Sequence, residues 1–371
     1  MACLFLLYIA MKSINSTTKV LKSYLDPQQV SYLILYVTNR CNFRCNFCFY
    51  GEEIEKGMKL DELTVDELVN ISKKVGPLIQ LSLTGGEPFL RENFTEITKA
   101  FIQNAHVRYV TIPTNASMPK RMVQYLQYLL PRYPKTYFRL VFSVEGIGQE
   151  HDKIRSMPGS FEKIRESYNA ISPLRQRYGN LVLDSNSVFT ARSENTLLKT
   201  LRFLSNEFDF DNLSITYARG NVPDPKLKRT SEKKYIQINE FLKNRMRKKE
   251  SRSLYQIWRA VNDVSRDNLM STVFHDEFVT PCVAGRKLVV LSETGEVLPC
   301  EILGKSFGNV RDYDYDIKTL LKRTNNQEFV KWVVDSKCKC SFECALAANV
   351  LWNFSAQPKL VKSTINNILH K

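Results

Sequence analysis

Three cysteines, Cys41, Cys45 and Cys48, stand in the run Cys-Asn-Phe-Arg-Cys-Asn-Phe-Cys. Iron–sulfur cubes and structural zinc sites are usually completed by four protein ligands, so a C-x3-C-x2-C triad is one thiolate short. A metal centre held by three thiolates keeps one corner open, and an open corner is where a small molecule is bound and changed. The same spacing also fits half of a zinc site completed from elsewhere in the chain. The apolar run Tyr32-Leu33-Ile34-Leu35-Tyr36-Val37 precedes the triad and reads as a buried strand. The cysteines then lie on the loop at the strand's C-terminal end, the face that carries active sites in α/β barrels. A second landmark is Leu81-Ser82-Leu83-Thr84 running into Gly85-Gly86-Glu87-Pro88. Glycine lets backbone approach a partner closely, and proline fixes the turn. Alone, this is an ordinary strand-to-helix turn.

The last quarter holds another group: Cys282, Cys300, Cys338, Cys340 and Cys344. Cys282 and Cys300 flank two apolar runs around Glu293-Thr294-Gly295-Glu296, a β-hairpin pattern. Apart from Cys3, each cysteine belongs to a cluster-type spacing, which favours metal ligation over disulfides.

The elements that must position these groups repeat along the chain. Apolar runs begin near Tyr32, Leu78, Val107, Tyr137, Leu181 and Leu213. Between them lie helical stretches. One opens at Thr64 with Glu67 three residues on, a capping box, and Gly76 ends it. Others span 93–105, 120–130, 161–177 and 195–208. Alternation of strand and helix implies a parallel sheet with right-handed crossovers. The predicted fold is α/β, a partial (β/α)6 TIM-type barrel with a small C-terminal β-hairpin-plus-helix cluster-binding domain.

The three-cysteine loop and the Gly-Gly-Glu-Pro turn together resemble the radical S-adenosylmethionine (radical SAM) superfamily, over residues 30–220. The resemblance implies that Cys41, Cys45 and Cys48 hold a 4Fe-4S cluster whose unique iron chelates SAM. It places Phe47 at the motif's aromatic position and Gly85, Gly86, Glu87 and Pro88 against the methionyl amino group. Phe142-Ser143-Val144-Glu145-Gly146, then His151-Asp152, Arg155 and Gly159-Ser160-Phe161, is similar to the family's fourth-strand segment. Ser143 and Glu145 inherit its place near the SAM ribose and carboxylate, with Arg155 beside them. Glu145 stands where the family usually has Asp. Thr114-Asn115-Ala116 ends the third strand where relatives show Thr-Asn-Gly, which adds Asn115 to the cofactor-binding set. Gly295 and Cys300 form the G-x4-C element of the family's SPASM and twitch auxiliary-cluster domains. Five thiols suit one auxiliary 4Fe-4S cluster. Cys282, Cys300 and Cys344 lead as ligands, and Cys338 and Cys340 compete for the fourth place.

The implied activity is reductive cleavage of SAM to a 5′-deoxyadenosyl radical, which takes hydrogen from a substrate. The auxiliary cluster transfers electrons or binds substrate. Dehydrogenation or oxidation of an anionic small molecule or sugar is favoured, because the net charge is +15. The alternative is a peptide or protein maturase that crosslinks, epimerises or oxidises residues. A zinc-stabilised nucleic-acid-binding protein is the alternative of another class. It explains the charge but not residues 85–88, so no nucleic acid is expected. The expected electron donor is a flavodoxin or ferredoxin. Arg219, ending the sixth strand, is the best candidate for a cavity-facing catalytic group, ahead of Tyr217, Arg286 and Asp335.

The expected organisation is a lead at 1–29, the core at 30–225, a basic helical linker at 226–277, the cluster domain at 278–350 and a helical tail at 351–371. The basic run from Lys243 to Arg252 reads as a solvated helix face. The apolar start, Ala2 to Ala10, is too short to span a bilayer and lacks a preceding basic residue, so Met11 competes with Met1 as the true start. Oxygen-sensitive clusters place the protein in the cytoplasm.

Overall fold

The computed structural model describes residues 26, 29–56, 61–248 and 253–369. The alternative starts at Met1 and Met11 and the end of the basic run lie outside the described residues.

Six strand–helix units build the first part of the chain. The strands are β1 (Tyr32–Thr38), β2 (Gln80–Gly85), β3 (Tyr109–Thr114), β4 (Tyr137–Ser143), β5 (Leu181–Phe189) and β6 (Asn212–Tyr217). The helices among them are α1 (Gly51–Lys56), α2 (Val65–Lys74), α3 (Phe94–Asn104), α4 (Pro119–Arg132), α5 (Gln149–Arg155), α6 (Ser160–Arg177) and α7 (Leu197–Glu207). The capping box at α2 is formed: Glu67 N donates to Thr64 Oγ1 and Thr64 N donates to Glu67 Oε2. Gly76 then takes φ +81°, the left-handed conformation that ends a helix.

After β6 the chain enters α8 (Glu232–Lys248) and α9 (Ser253–Phe274), where a helical linker was expected. The hairpin follows as β7 (Leu288–Leu291) and β8 (Glu296–Leu298), then a short β9 (Gly308–Asn309). Helices α10 (Ile317–Lys322), α11 (Thr324–Asp335), α12 (Glu343–Trp352) and α13 (Gln357–Leu369) complete the described chain. Helix α9 packs against both α12 and α13.

The strands form one nine-stranded sheet, ordered β6-β5-β4-β3-β2-β1-β7-β8-β9. The first six are parallel neighbours in sequence order, and the sheet does not close. The hairpin does not make a sheet of its own. β7 pairs parallel with β1, Tyr32 opposite Leu288, so the C-terminal cysteines are carried on an extension of the barrel sheet. β1 is therefore central, and all seven of its residues are buried. Its period-2 alternation splits the core: Leu33, Leu35 and Val37 face the helix layer, while Tyr32, Ile34 and Tyr36 face inward to a second cluster with Cys282 and Cys300. No helix among the described residues is long and apolar enough to cross a membrane.

Candidate functional site

The three-cysteine loop leaves β1 and is stitched to the end of β2. Gly86 N donates to Thr38 O at 2.8 Å, and Glu87 N donates to Arg40 O at 2.9 Å. Both bonds need backbone-to-backbone approach. A Cβ at Gly85 would sit 2.2 Å from Thr38 O, and one at Gly86 would sit 2.1 Å from Arg40 O. Gly85 also has φ +116°, outside what a residue with a Cβ adopts readily. The paired glycines therefore set the path of residues 38–40 immediately before Cys41.

Glu87 does not point at open space. It is 1% exposed, and its carboxylate accepts from Thr114 Oγ1 at 2.8 Å, Asn115 N at 2.7 Å and Phe89 N at 3.2 Å. Burial pushes it up to about 7 against the pull of those donors. It ties the ends of β2 and β3 together. Asn115 reaches the cysteine loop, donating from Nδ2 to Asn42 Oδ1 at 2.9 Å. Ala116 is held at φ +58°, where the family's glycine would be relaxed. Pro88 starts a short 3-10 turn.

The fourth-strand segment meets the same loop. Arg155 donates to Glu145 Oε1 at 2.6 Å and to Cys45 Sγ at 3.4 Å, and lies over the Phe47 ring at 5.4 Å. Glu145 also accepts from Val188 N at 2.7 Å, so both its oxygens have partners. Asp152 caps α6 through Gly159 N, Ser160 Oγ and Phe161 N. Ser143 lines the main cavity. Phe47 and Glu145 also border a smaller cavity of about 340 Å³. Sequence reading missed Glu62, which accepts from Thr38 Oγ1 and from Arg91 Nη1 at 2.6 Å and braces the loop's root. Its signal was weak: an acidic residue in a segment with no motif.

The main cavity has a volume of about 990 Å³ and runs inside the open barrel from Cys48 and Gly85 to α9 and α12. Arg219 lines it, as expected, but its charge is already matched. Its Nη2 donates to Glu301 Oε2 at 2.9 Å, and Glu343 Oε2 lies 3.5 Å from Nη1. Phe49 and Phe342 sandwich the guanidinium at 5.0 and 5.1 Å. Burial pushes Glu343 up to about 7, with Arg219 pulling the other way. Tyr217 borders the cavity too, and its backbone N–H donates to Glu343 Oε1. Arg286 instead donates to Cys282 O at 2.7 Å, and Asp335 is exposed at the end of α11; neither lines the cavity. Glu301, Glu343 and Tyr36 were not singled out from sequence, since their pairing with Arg219 is made across the fold.

The C-terminal cysteines pack on one apolar cluster. Burial pushes the Cys282, Cys300, Cys338 and Cys340 thiols up, and the charge of neighbouring thiols adds to the push. Cys344 packs on the same cluster and also lines the cavity, with Arg219, Glu301, Tyr32 and Glu343 around it.

The three-thiol loop fits an iron cluster on two observations. Burial pushes Cys41 up to about 12 and Cys48 to about 11, with neighbouring thiols adding to the push, a conflict that binding a cationic centre resolves. Beside Cys45, Arg155 Nε is buried without a partner. Solved structures share the fold. They include native anSMEcpe with bound AdoMet (TM-score 0.60, 18% identity, covering 91% of this chain and 100% of that one). The same protein with bound AdoMet and the Cp18Cys peptide gives 0.58 at 18% identity, covering 91% and 99%. Streptococcus suis SuiB bound to precursor peptide SuiA gives 0.57 at 16% identity, covering 86% and 71%. Residues 35–204 match the radical SAM superfamily, whose members use a 4Fe-4S cluster and SAM. That match falls on the loop, strands and helices described above, so residues 35–204 form a radical SAM domain.

Proposed function

We propose that the chain removes a hydrogen atom from a peptide segment held in the barrel cavity. When bound at Cys41, Cys45 and Cys48, the cluster and SAM supply the 5′-deoxyadenosyl radical. The protein's own groups do the positioning. Gly85 and Gly86 fix the loop, Glu87 locks β2 to β3, and Arg155 holds Cys45 and Phe47 in place. Phe47, Asn115, Ser143 and Glu145 remain the proposed SAM-side residues.

The observation that carries the peptide reading is the state of Arg219. An anionic small molecule would need a spare cation at the barrel mouth, and Arg219 is matched by Glu301 and Glu343. At this end of the cavity Arg219 faces two carboxylates, while the cations Arg108, Arg132 and Lys135 lie at the opposite end, by the starts of β3 and β4. The other mouth-side groups, among them Ser82, Asn186 and Thr216, offer the neutral hydrogen bonding a peptide uses. The volume is ample for a chain segment. Two of the similar structures hold peptides. A zinc-stabilised nucleic-acid binder accounts for neither the paired glycines nor the cavity inside the open barrel.

A second iron–sulfur cluster is proposed on the C-terminal cysteines Cys282, Cys300, Cys338, Cys340 and Cys344, which pack on one apolar cluster. Residues 30–225 are the proposed core and 278–350 the proposed cluster region. A flavodoxin- or ferredoxin-type donor in the reducing cytoplasm completes the proposal. The test is 5′-deoxyadenosine formation by the anaerobically reconstituted protein, with a mixture of synthetic decapeptides or with phosphorylated and amino sugars. Peptide-specific acceleration above the substrate-free rate supports the reading. Acceleration by the sugars alone refutes it.

A further inference from the structure

The main cavity opens to water at the end away from the cysteine loop. The exposed residues on its wall, among the described ones, are His106, Arg132, Pro134 and Lys135, and all four lie by the starts of β3 and β4. Arg108 lies half-buried beside them, immediately before Tyr109. The rim is basic and unmatched. Glu301 and Glu343 are the only carboxylate side chains lining the cavity among the described residues, and both face Arg219 at the other end. None of Arg108, Arg132 and Lys135 has a carboxylate partner among the described residues.

Two of these cations are already oriented. Arg132 lies over the Tyr128 ring at 4.0 Å, and its Nη1 donates to Tyr128 O at 2.9 Å. Arg108 lies over the Tyr137 ring at 5.8 Å, and that ring stacks on Tyr109. A guanidinium held against a ring gives up little freedom on meeting a carboxylate, and its planar fork takes both oxygens at once. Between the rim and the cysteine loop the wall carries neutral polar groups, among them Ser82 and Thr84 on β2 and Ser214 and Thr216 on β6. Arg139 lies on that wall too, but Asp184 pairs with it. Length then decides the kind of ligand. Gln80 at the rim, opposite Tyr109, and Gly85 at the loop are five residues apart on β2. At about 3.3 Å per residue that is about 17 Å. A compact anion held at the rim stays that far from the three-thiol loop, whereas an extended chain covers the distance in about five residues.

We propose that Arg108, Arg132 and Lys135 form a specificity site that takes the carboxylate of an aspartate or glutamate side chain about five residues from the peptide residue that loses hydrogen. The inference rests on the peptide reading above and narrows its substrate class to acidic peptides. The carboxylate stays ionised, and no bond is made or broken at the rim. Holding it there sets which residue of the chain arrives at the far end of the cavity. The net charge of +15 attracts the same peptides from a distance, so the test separates the rim from charge in general.

The test uses the full chain, reconstituted anaerobically with SAM and without reductant, and synthetic decapeptides with blocked ends. Each carries a diazirine leucine five residues from either a Glu or a Gln, in both orders, with random uncharged residues elsewhere. After irradiation, crosslinks are located by peptide mass spectrometry. In one order, the Glu peptides should label Phe49, Thr84 or Ser143 at least about tenfold more than the Gln peptides, the effect of one charge-assisted pair. The preference should vanish when Arg108, Arg132 and Lys135 are all changed to Gln. It should persist when three cations off the cavity, Lys120, Lys199 and Arg202, are changed to Gln instead. Lys135→Glu alone, at an exposed position, should also cut it about tenfold, and it serves where the triple variant fails to fold. Equal labelling by Glu and Gln peptides, or a preference that survives the rim variants, overturns the proposal. Rim-dependent binding of a single-stranded oligonucleotide with no Glu preference overturns it in favour of nucleic acid. Peptide-accelerated 5′-deoxyadenosine formation without a Glu preference strikes this site alone and leaves the peptide reading standing, whereas acceleration by sugars alone strikes both.

Discussion

Replacing Gly86 with alanine should disable the cysteine loop without touching a cysteine. The new Cβ would lie 2.1 Å from Arg40 O, 2.6 Å from Arg40 C and 3.1 Å from Asn39 C. Ordinary contact begins at 3.4 Å, so the nearest atom is 1.3 Å too close, and every obstacle is backbone. Relief requires the segment 38–40 to move by about 1 Å. That movement breaks the bonds from Gly86 N to Thr38 O and from Glu87 N to Arg40 O. Each is worth about 1 kcal/mol when made, and each group left buried and unpaired costs about 1–3 kcal/mol. The summed loss is about 3–5 kcal/mol, within the range of large single-site effects. Arg40 precedes Cys41, so the shift is passed to the first thiol. A displacement of about 1 Å in a reacting constellation typically costs about 100-fold in rate. The assay is 5′-deoxyadenosine formation under dithionite, normalised to bound iron, together with thermal unfolding. Gly179→Ala, where a Cβ meets nothing within 4 Å, is the control and should change neither. A Gly86→Ala protein that cleaves SAM at the wild-type rate with unchanged unfolding would refute the reasoning.

Cys48→Ala should abolish 5′-deoxyadenosine formation, and persistent cleavage by high-performance chromatography would contradict the three-thiol assignment. Ala116→Gly should stabilise the protein by about 1 kcal/mol in chemical denaturation, because Ala116 is held at φ +58°; a destabilised variant would show that its methyl packing matters more. Glu67 bridges α2 to Arg311, with Arg311 Nε donating to Oε1 at 2.6 Å, and that pairing lowers its carboxyl to about 2. A lowered carboxyl stabilises the fold above its unfolded value near 4.5, and the contribution is lost as pH falls toward about 2. The partly hydrated pair is worth about 1–2 kcal/mol after screening, so Glu67→Gln should lower stability at pH 7 and flatten its fall between pH 4.5 and 2. An unchanged acid profile would count against the bridge.

The local grammar of the barrel was legible because it is short-range. Thr64 and Glu67 announce α2, and strand–helix alternation announces β1 to β6. The cysteine loop and glycine turn were legible as motifs, although why there are two glycines appears only when Thr38 O and Arg40 O arrive beside them. What sequence did not contain was pairing across distance. Nothing in Leu288–Leu291 says that it adds to β1 in parallel, because a four-residue apolar strand fits any edge. C-x-C-x3-C spacing says which thiols are near in the chain, not which way α12 turns them. Cys344 therefore ranks with Cys282 and Cys300 as a leading ligand and Cys338 competes with Cys340; in the folded chain all five pack on one apolar cluster, and Cys344 also borders the cavity. Arg219 likewise read as a free cation because its partners, Glu301 and Glu343, come from segments far along the chain.

Iron and sulfide content after anaerobic reconstitution, measured with SAM cleavage on the same sample, tests the central claim most directly. The account predicts about eight irons per chain, two four-iron centres, with 5′-deoxyadenosine produced under reduction. About four irons with cleavage would remove the second centre. Zinc in place of iron, with no cleavage, would contradict the account altogether.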